Sequence, residues 1–544
     1  MPRVWTIHVF LADGSRPFHY NLTVHRSPTT ISQMATTMPE NGARTLVELF
    51  KQAKPDNLGT PLLTLEDGSV LTYRDADKRS AQLAHLLLAE GVQIGDRVAV
   101  QIEKSPTAIW TYLACLRAGA VLLPMNPAYT PDEVAYLLGD ATPKVVIADP
   151  GSPAAALSSN AFTCAADESG SLADSIATLS PEFDDRPVGP DDPAILPYTS
   201  GTTGRPKGAP LSQHNLSSNA EALIATWGFT DEDILIHILP LFHVHGLVVG
   251  LNCVFGAGAQ MRFYSRFVPQ DVIDAFADST VMMGVPTHYH RLLAEERLNE
   301  ASCAPMRLFI SGSAPLLAPV FNEFSRRTGK PILERYGMTE TAMICSNPLD
   351  GERRAGTVGL PLPGVEVRVA DETTDKPIET GKIGAIQVRG PNVFSGYLGR
   401  PELNATEFCP DGFFRTGDLG AFSDDGYLSI LGRSKDLVIS GGLNVYPKEV
   451  EDVLDNLPGV EESAVIGIAD PDFGEAVVAA VVPEPDAALD PATLRAEARE
   501  RLAPYKVPKH VVIVDALPRN TMGKVEKSRL RDQLAVLLVQ PEDK

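Results

Sequence analysis

Tyr198-Thr199-Ser200-Gly201-Thr202-Thr203-Gly204-Arg205-Pro206-Lys207-Gly208 follows the apolar run Ala194-Ile195-Leu196. Three glycines, four hydroxyl residues and two cations crowd these eleven positions. Glycines let backbone N–H groups close on an anion, hydroxyls donate to phosphate oxygens or hold Mg²⁺, and Arg205 and Lys207 add positive charge. The spacing departs from that of a Walker loop. Counted from Gly201, Pro206 stands where the second glycine belongs, and Lys207 is followed by Gly208 instead of a hydroxyl residue. The stretch reads as a phosphate cradle of another kind, placed at the end of a buried strand.

Working outward, four more motifs follow in one order: Tyr336-Gly337-Met338-Thr339-Glu340, Thr416-Gly417-Asp418, Gly432-Arg433-Ser434-Lys435-Asp436 and Pro518-Arg519-Asn520-Thr521-Met522-Gly523-Lys524. The set resembles the adenylate-forming superfamily of acyl-CoA synthetases, peptide-synthetase adenylation domains and luciferases, over roughly residues 45–535. The resemblance implies ATP and Mg²⁺ as cofactors and CoA as co-substrate. It assigns ATP binding to Thr199, Ser200, Gly201, Thr202, Thr203, Gly204, Lys207, Ser313, Ala314, Arg335, Tyr336, Gly337, Thr339, Glu340, Asp418, Arg433 and Lys524. Within that set, Thr202 and Glu340 hold Mg²⁺, Tyr336 lies against adenine, and Asp418 accepts from the ribose hydroxyls near Arg433. Lys524, Glu340 and Thr202 are the catalytic residues, Lys435 is the hinge, and Gly441-Gly442 admits the pantetheine arm of CoA.

The chemistry explains why such residues are needed. A carboxylate is a poor acyl donor until its oxygen is joined to AMP, and the joining step presses two anions together. Positioning and charge neutralisation must do most of the work, and Lys524 is the neutralising cation.

The acid is read from Gly284-Val285-Pro286-Thr287-His288-Tyr289-His290-Arg291, the segment bordering the acyl pocket in the family. A fatty acid needs an apolar tunnel there, so Arg291 points to a short dicarboxylate whose far carboxylate pairs with a buried guanidinium. His243, Ser311 and Gly312 complete the expected acid side. These segments resemble those of malonyl-CoA synthetases, which implies malonyl-CoA, AMP and pyrophosphate as products. The alternatives are another short dicarboxylate such as methylmalonate, or a short- or medium-chain monocarboxylate.

Composition sets the outer limits. The chain has 544 residues, 44% apolar and 21% charged, with 47 Lys plus Arg against 69 Asp plus Glu for a net charge of −22. Its length calls for more than one core, and its acidity disfavours nucleic acid and anionic membranes as partners. Small-molecule substrates are expected, without stable membrane insertion. Six scattered cysteines without a CxxC pair suit a reducing compartment. A cytoplasmic location is expected, or the mitochondrial matrix if residues 1–44 are a transit peptide.

The expected fold is α/β. A large N-terminal domain, residues 45–433, comprises two α/β subdomains and a β subdomain, and a small mobile α+β domain, residues 434–544, carries Lys524. Residues 1–44 are an extension with a short strand over Trp5–Leu11. Strands at 96–102, 120–124 and 144–148 alternate with helices at 108–118 and 131–138, and a second alternating run spans 234–310. Residues 150–190 read as a variable connection, and 355–432 as short strands between Gly and Pro turns.

Overall fold

The computed structural model describes residues 5–6, 21–22, 44–199, 205–470, 473–520 and 523–539. Two compact units divide the chain, Met1–Thr37 and Met38–Lys544. In the first, Trp5–Thr6 pairs antiparallel with Asn21–Leu22. The rest of the strand expected over Trp5–Leu11 lies outside the described residues.

The second unit is α/β, a large N-terminal domain followed by a smaller C-terminal one. Its first sheet runs in the order Leu211–Ser212, Pro193–Ile195, Val121–Pro124, Arg97–Gln101, Val145–Ala148, Ala161–Thr163, parallel except at the first strand. Fully buried runs such as Val145–Ala148 are what a parallel sheet covered on both faces requires. Local signals start the covering helices. Thr72 with Asp75, Thr130 with Glu133 and Ser212 with Asn215 form capping boxes at Tyr73–Ala89, Pro131–Ala141 and Gln213–Trp227.

Two expectations need correction. Residues 150–190 hold helix Pro153–Leu157, strand Ala161–Thr163 and helix Ser171–Ile176, and that strand completes the first sheet. At three half-buried residues, it is too short to show a period against its Ala- and Ser-rich surroundings. The second sheet is also larger than the run over 234–310. Its nine strands include Pro61–Leu65 and Val70–Thr72 at one edge and Leu333–Met338, Ala342–Ser346 and Leu360–Pro361 at the other.

Glu366–Ala370, Gly384–Arg389, Phe414–Phe422 and Leu428–Arg433 make an antiparallel four-stranded sheet. Beyond it, Gly474–Pro483 is the central strand of a C-terminal five-stranded sheet, with Val460–Asp470 along its edge and helices Pro447–Leu454 and Pro491–Arg501 beside it. That sheet has its own core around Val465, Val477, Val481 and Leu494. Among the described residues, no helix is long and apolar enough to cross a membrane.

Candidate active site

Tyr198–Thr199 and Lys207–Gly208 pair antiparallel. Ser200, Gly201, Thr202, Thr203 and Gly204 lie outside the described residues. Within that pair Lys207 is buried, with its ammonium 4.5 Å from the centre of the Tyr397 ring. The Tyr397 hydroxyl donates to Glu340 Oε1 at 2.7 Å. A cation, an aromatic ring and a buried carboxylate thus lie in sequence. Tyr397 belongs to no motif read from the sequence, and its distance along the chain from Lys207 leaves no local signal for it.

Glu340 and Thr339 form the turn between Leu333–Met338 and Ala342–Ser346. No cluster of three or more metal-ligating side chains occurs among the described residues. One buried carboxylate suits Mg²⁺, which commonly takes one or two carboxylates and completes its shell with water and phosphate oxygens.

A cleft of about 510 Å³ gathers Arg291, Ser313, Ala314, Arg335, Tyr336, Gly337, Asp418, Arg433 and Lys524 along its walls. The Tyr336 hydroxyl donates to Asp418 Oδ2 at 2.5 Å, and Arg433 Nε meets Asp418 Oδ1 at 2.9 Å. Burial and the neighbouring Asp418 charge push the Tyr336 phenol well up, keeping it a donor. Ser313 has φ +73°, an uncommon setting for a non-glycine residue, and its hydroxyl lies 3.2 Å from His245 Nδ1.

Lys524 enters the cleft on the turn Asn520–Lys524, where its N–H donates to Asn520 Oδ1 at 3.0 Å. Its side chain stays open to water in the cleft, yet desolvation by the walls and then the Arg433 charge press its ammonium pKa down. The preceding Gly523 has φ +73°, and a Cβ there would lie 3.2 Å from Thr287 Oγ1. The turn is therefore seated against the start of helix Pro286–Leu293. Lys435, in the single turn Ser434–Asp436, contributes a further depressing charge to Lys524. Gly441 and Gly442 lie elsewhere, with φ 61° and 78° in the tight turn between Val438–Ser440 and Leu443–Val445.

On the acid side the expectation of a buried Arg291 is overturned. Arg291 is exposed at the cleft wall, with its guanidinium 5.0 Å from the Phe267 ring centre. It falls on the last turn of Pro286–Leu293, where the inward positions are taken by Tyr289 and Leu292. The buried guanidinium is Arg335, 3% exposed. It lies flat on Gly312, where an added Cβ would be 2.4 Å from Arg335 Cζ. His243, Ser311 and Gly312 are not among the residues lining the cleft surface. Burial, then the charges of Arg335 and Lys524, lower the His243 imidazole to about 4, so the ring is neutral.

Likeness to known proteins runs along most of the second unit. The AMP-binding enzyme family matches residues 49–398, and the AMP-binding enzyme C-terminal domain matches 449–524. The structure is similar to ATP-bound MatB from Rhodopseudomonas palustris, with a TM-score of 0.88, 48% identity and coverage of 91% of this chain and 100% of that one. A feruloyl-CoA synthase from an Amycolatopsis species is 38% identical over 474 residues, 85% of this chain and 94% of that protein. A malonate–CoA ligase from Arabidopsis thaliana is 32% identical over 545 residues, 90% and 89% of the two. The chain belongs to the AMP-binding enzyme family and is an ATP-using, AMP-forming acid–thiol ligase, an acyl-CoA synthetase close to the malonyl-CoA synthetases.

Proposed function

We propose that this ligase joins malonate to CoA through malonyl-adenylate. The observation that carries the reading is a cleft whose nucleotide side holds Tyr336, Asp418, Arg433 and Lys524 and whose other wall carries two guanidinium groups, Arg291 and Arg335. A cleft so charged favours an acid with a second negative end over an apolar chain or a bare aromatic ring.

In the first step a malonate oxygen attacks the α-phosphorus of ATP, the bond to pyrophosphate breaks, and malonyl-adenylate forms. Lys524 neutralises the anions that meet there, and the Asp418 carboxylate, oriented by Tyr336 and Arg433, accepts from the ribose hydroxyls. Glu340, with Thr202, would hold Mg²⁺, which shields the phosphate charge when bound. Residues 199–204 and Lys207 cradle the outer phosphates. In the second step the CoA sulfur attacks the acyl carbon and AMP leaves. Gly441 and Gly442 admit the pantetheine arm, and Lys435 is the pivot that lets the small domain, residues 434–544, present them.

The test is a panel of acids with ATP, Mg²⁺ and CoA, scored by AMP formation. Malonate should exceed acetate, octanoate and ferulate in kcat/KM by about a hundredfold or more, since an acid that leaves a desolvated charge unpaired loses several kcal/mol. Acetate, octanoate or ferulate outperforming malonate would refute the reading. Methylmalonate in place of malonate would keep the dicarboxylate class and change only the acid.

A further inference from the structure

Tyr397 stands between two buried charges. The Lys207 ammonium lies 4.5 Å from the centre of its ring, and its hydroxyl donates to Glu340 Oε1 at 2.7 Å. All three residues are buried, and Lys207 forms no ion pair among the described residues. A direct Lys207–Glu340 pair in so dry a place would bind strongly, because attraction rises as the dielectric falls, and each charge would cancel the other. The ring holds both without cancelling either. Its π face attracts the cation, and its neutral hydroxyl satisfies one carboxylate oxygen while leaving the charge in place. Glu407, closing helix Pro401–Glu407, is coupled to both charges but makes no bond to either among the described residues.

The backbone fixes the ring at that point. The Phe394 N–H donates to the Glu340 carbonyl and the Leu398 N–H to the Gly208 carbonyl, each at 2.9 Å. Asn404 clamps Tyr397 itself, accepting its N–H at 2.7 Å and donating to its carbonyl at 3.0 Å. Edge-on packing against Phe394, with ring centres 4.9 Å apart, sets the tilt of the ring. The stretch 394–398 is thus bonded on one side to the turn carrying Glu340 and on the other to the strand carrying Lys207. We infer that Tyr397 is a positioning residue that keeps Lys207 and Glu340 apart, so that the ammonium stays available to phosphate oxygens and the carboxylate to Mg²⁺. This rests on the assignment above of Lys207 to phosphate and Glu340 to Mg²⁺.

The experiment measures binding of the Mn²⁺ complex of α,β-methylene-ATP to the full-length enzyme by electron paramagnetic resonance. Misfolding lowers the number of sites but leaves the dissociation constant of those that remain, so the constant reports positioning. Tyr397→Leu should raise it by about tenfold or more, whereas Tyr397→Phe, which keeps the ring, should raise it by less than roughly threefold. In a Lys207→Met background, where no ammonium can reach Glu340, adding Tyr397→Leu should raise it by less than roughly threefold. Three results would overturn the inference and leave the site assignment standing: no loss from Tyr397→Leu, the same loss with and without Lys207, or the same loss from Phe as from Leu. Glu340→Gln should also weaken binding by about tenfold. Unchanged binding in that variant would refute the Mg²⁺ assignment, and the inference with it.

Discussion

Lys524 must act as a cation, and the cleft opposes that charge. Desolvation and Arg433 press its pKa down, so the charged form is present at low pH and is lost as pH rises, earlier than for a lysine in water. Lys524→Ala should slow pyrophosphate release with malonate by about a hundredfold or more and remove the alkaline loss of rate. Thiolysis of supplied malonyl-adenylate should change by less than ~threefold on the same scale. Equal losses in both half-reactions would contradict the assigned role. At this scale motif residues were legible because their types and spacing carry the chemistry. Burial was not. The motifs assign Arg335 to ATP and Arg291 to the acid without telling their burial: the last turn of a short helix leaves Arg291 exposed and a strand paired on both sides encloses Arg335.

A turn places Lys524, and the turn depends on Gly523. A side chain there meets two obstacles, a backbone at φ +73° and Thr287 Oγ1 at 3.2 Å. Holding a non-glycine residue in that region costs roughly 1–2 kcal/mol, which corresponds to about tenfold in rate. Gly523→Ala should therefore slow adenylation about tenfold, and adding Thr287→Ala should recover the steric share alone, both followed by pyrophosphate release. Full recovery would show that the backbone conformation costs nothing. Elements with strong periods or caps, such as Tyr73–Ala89 and Pro131–Ala141, were legible locally. Within the alternating run over 234–310, a π-helical turn, His245–Gly250, buries His245 beside Ser313. No local pattern separates such a turn from an α-helix, since the same apolar residues serve both.

Where the large and small domains meet, burial keeps the Glu334 carboxyl protonated. Glu334, on strand Leu333–Met338, is electrostatically coupled to Lys448 of helix Pro447–Leu454, and His290 lies 3.4 Å from Glu461. Burial pushes the Glu334 carboxyl up to about 8, so the folded chain holds a proton that the unfolded chain has released. This contribution to stability is complete below the ordinary value of 4.5 and is lost as pH rises through about 8. Glu334→Gln keeps the acceptor for the Leu316 N–H. Unfolding measured at two pH values should find it nearly neutral at pH ~5 and stabilising by ~1 kcal/mol or more at pH ~8, the worth of one pKa unit. Equal shifts at both would deny the linkage. By itself the sequence determined the α/β class, the nucleotide motifs and the acid-activating chemistry, because periodicity and motif spacing act over short stretches. Tertiary structure alone decided that Pro61–Leu65 and Val70–Thr72 join the sheet built from residues 234–361, and that Tyr397 reaches Lys207 and Glu340. It also decided which arginine is buried, because strand pairing and desolvation depend on neighbours distant in the chain.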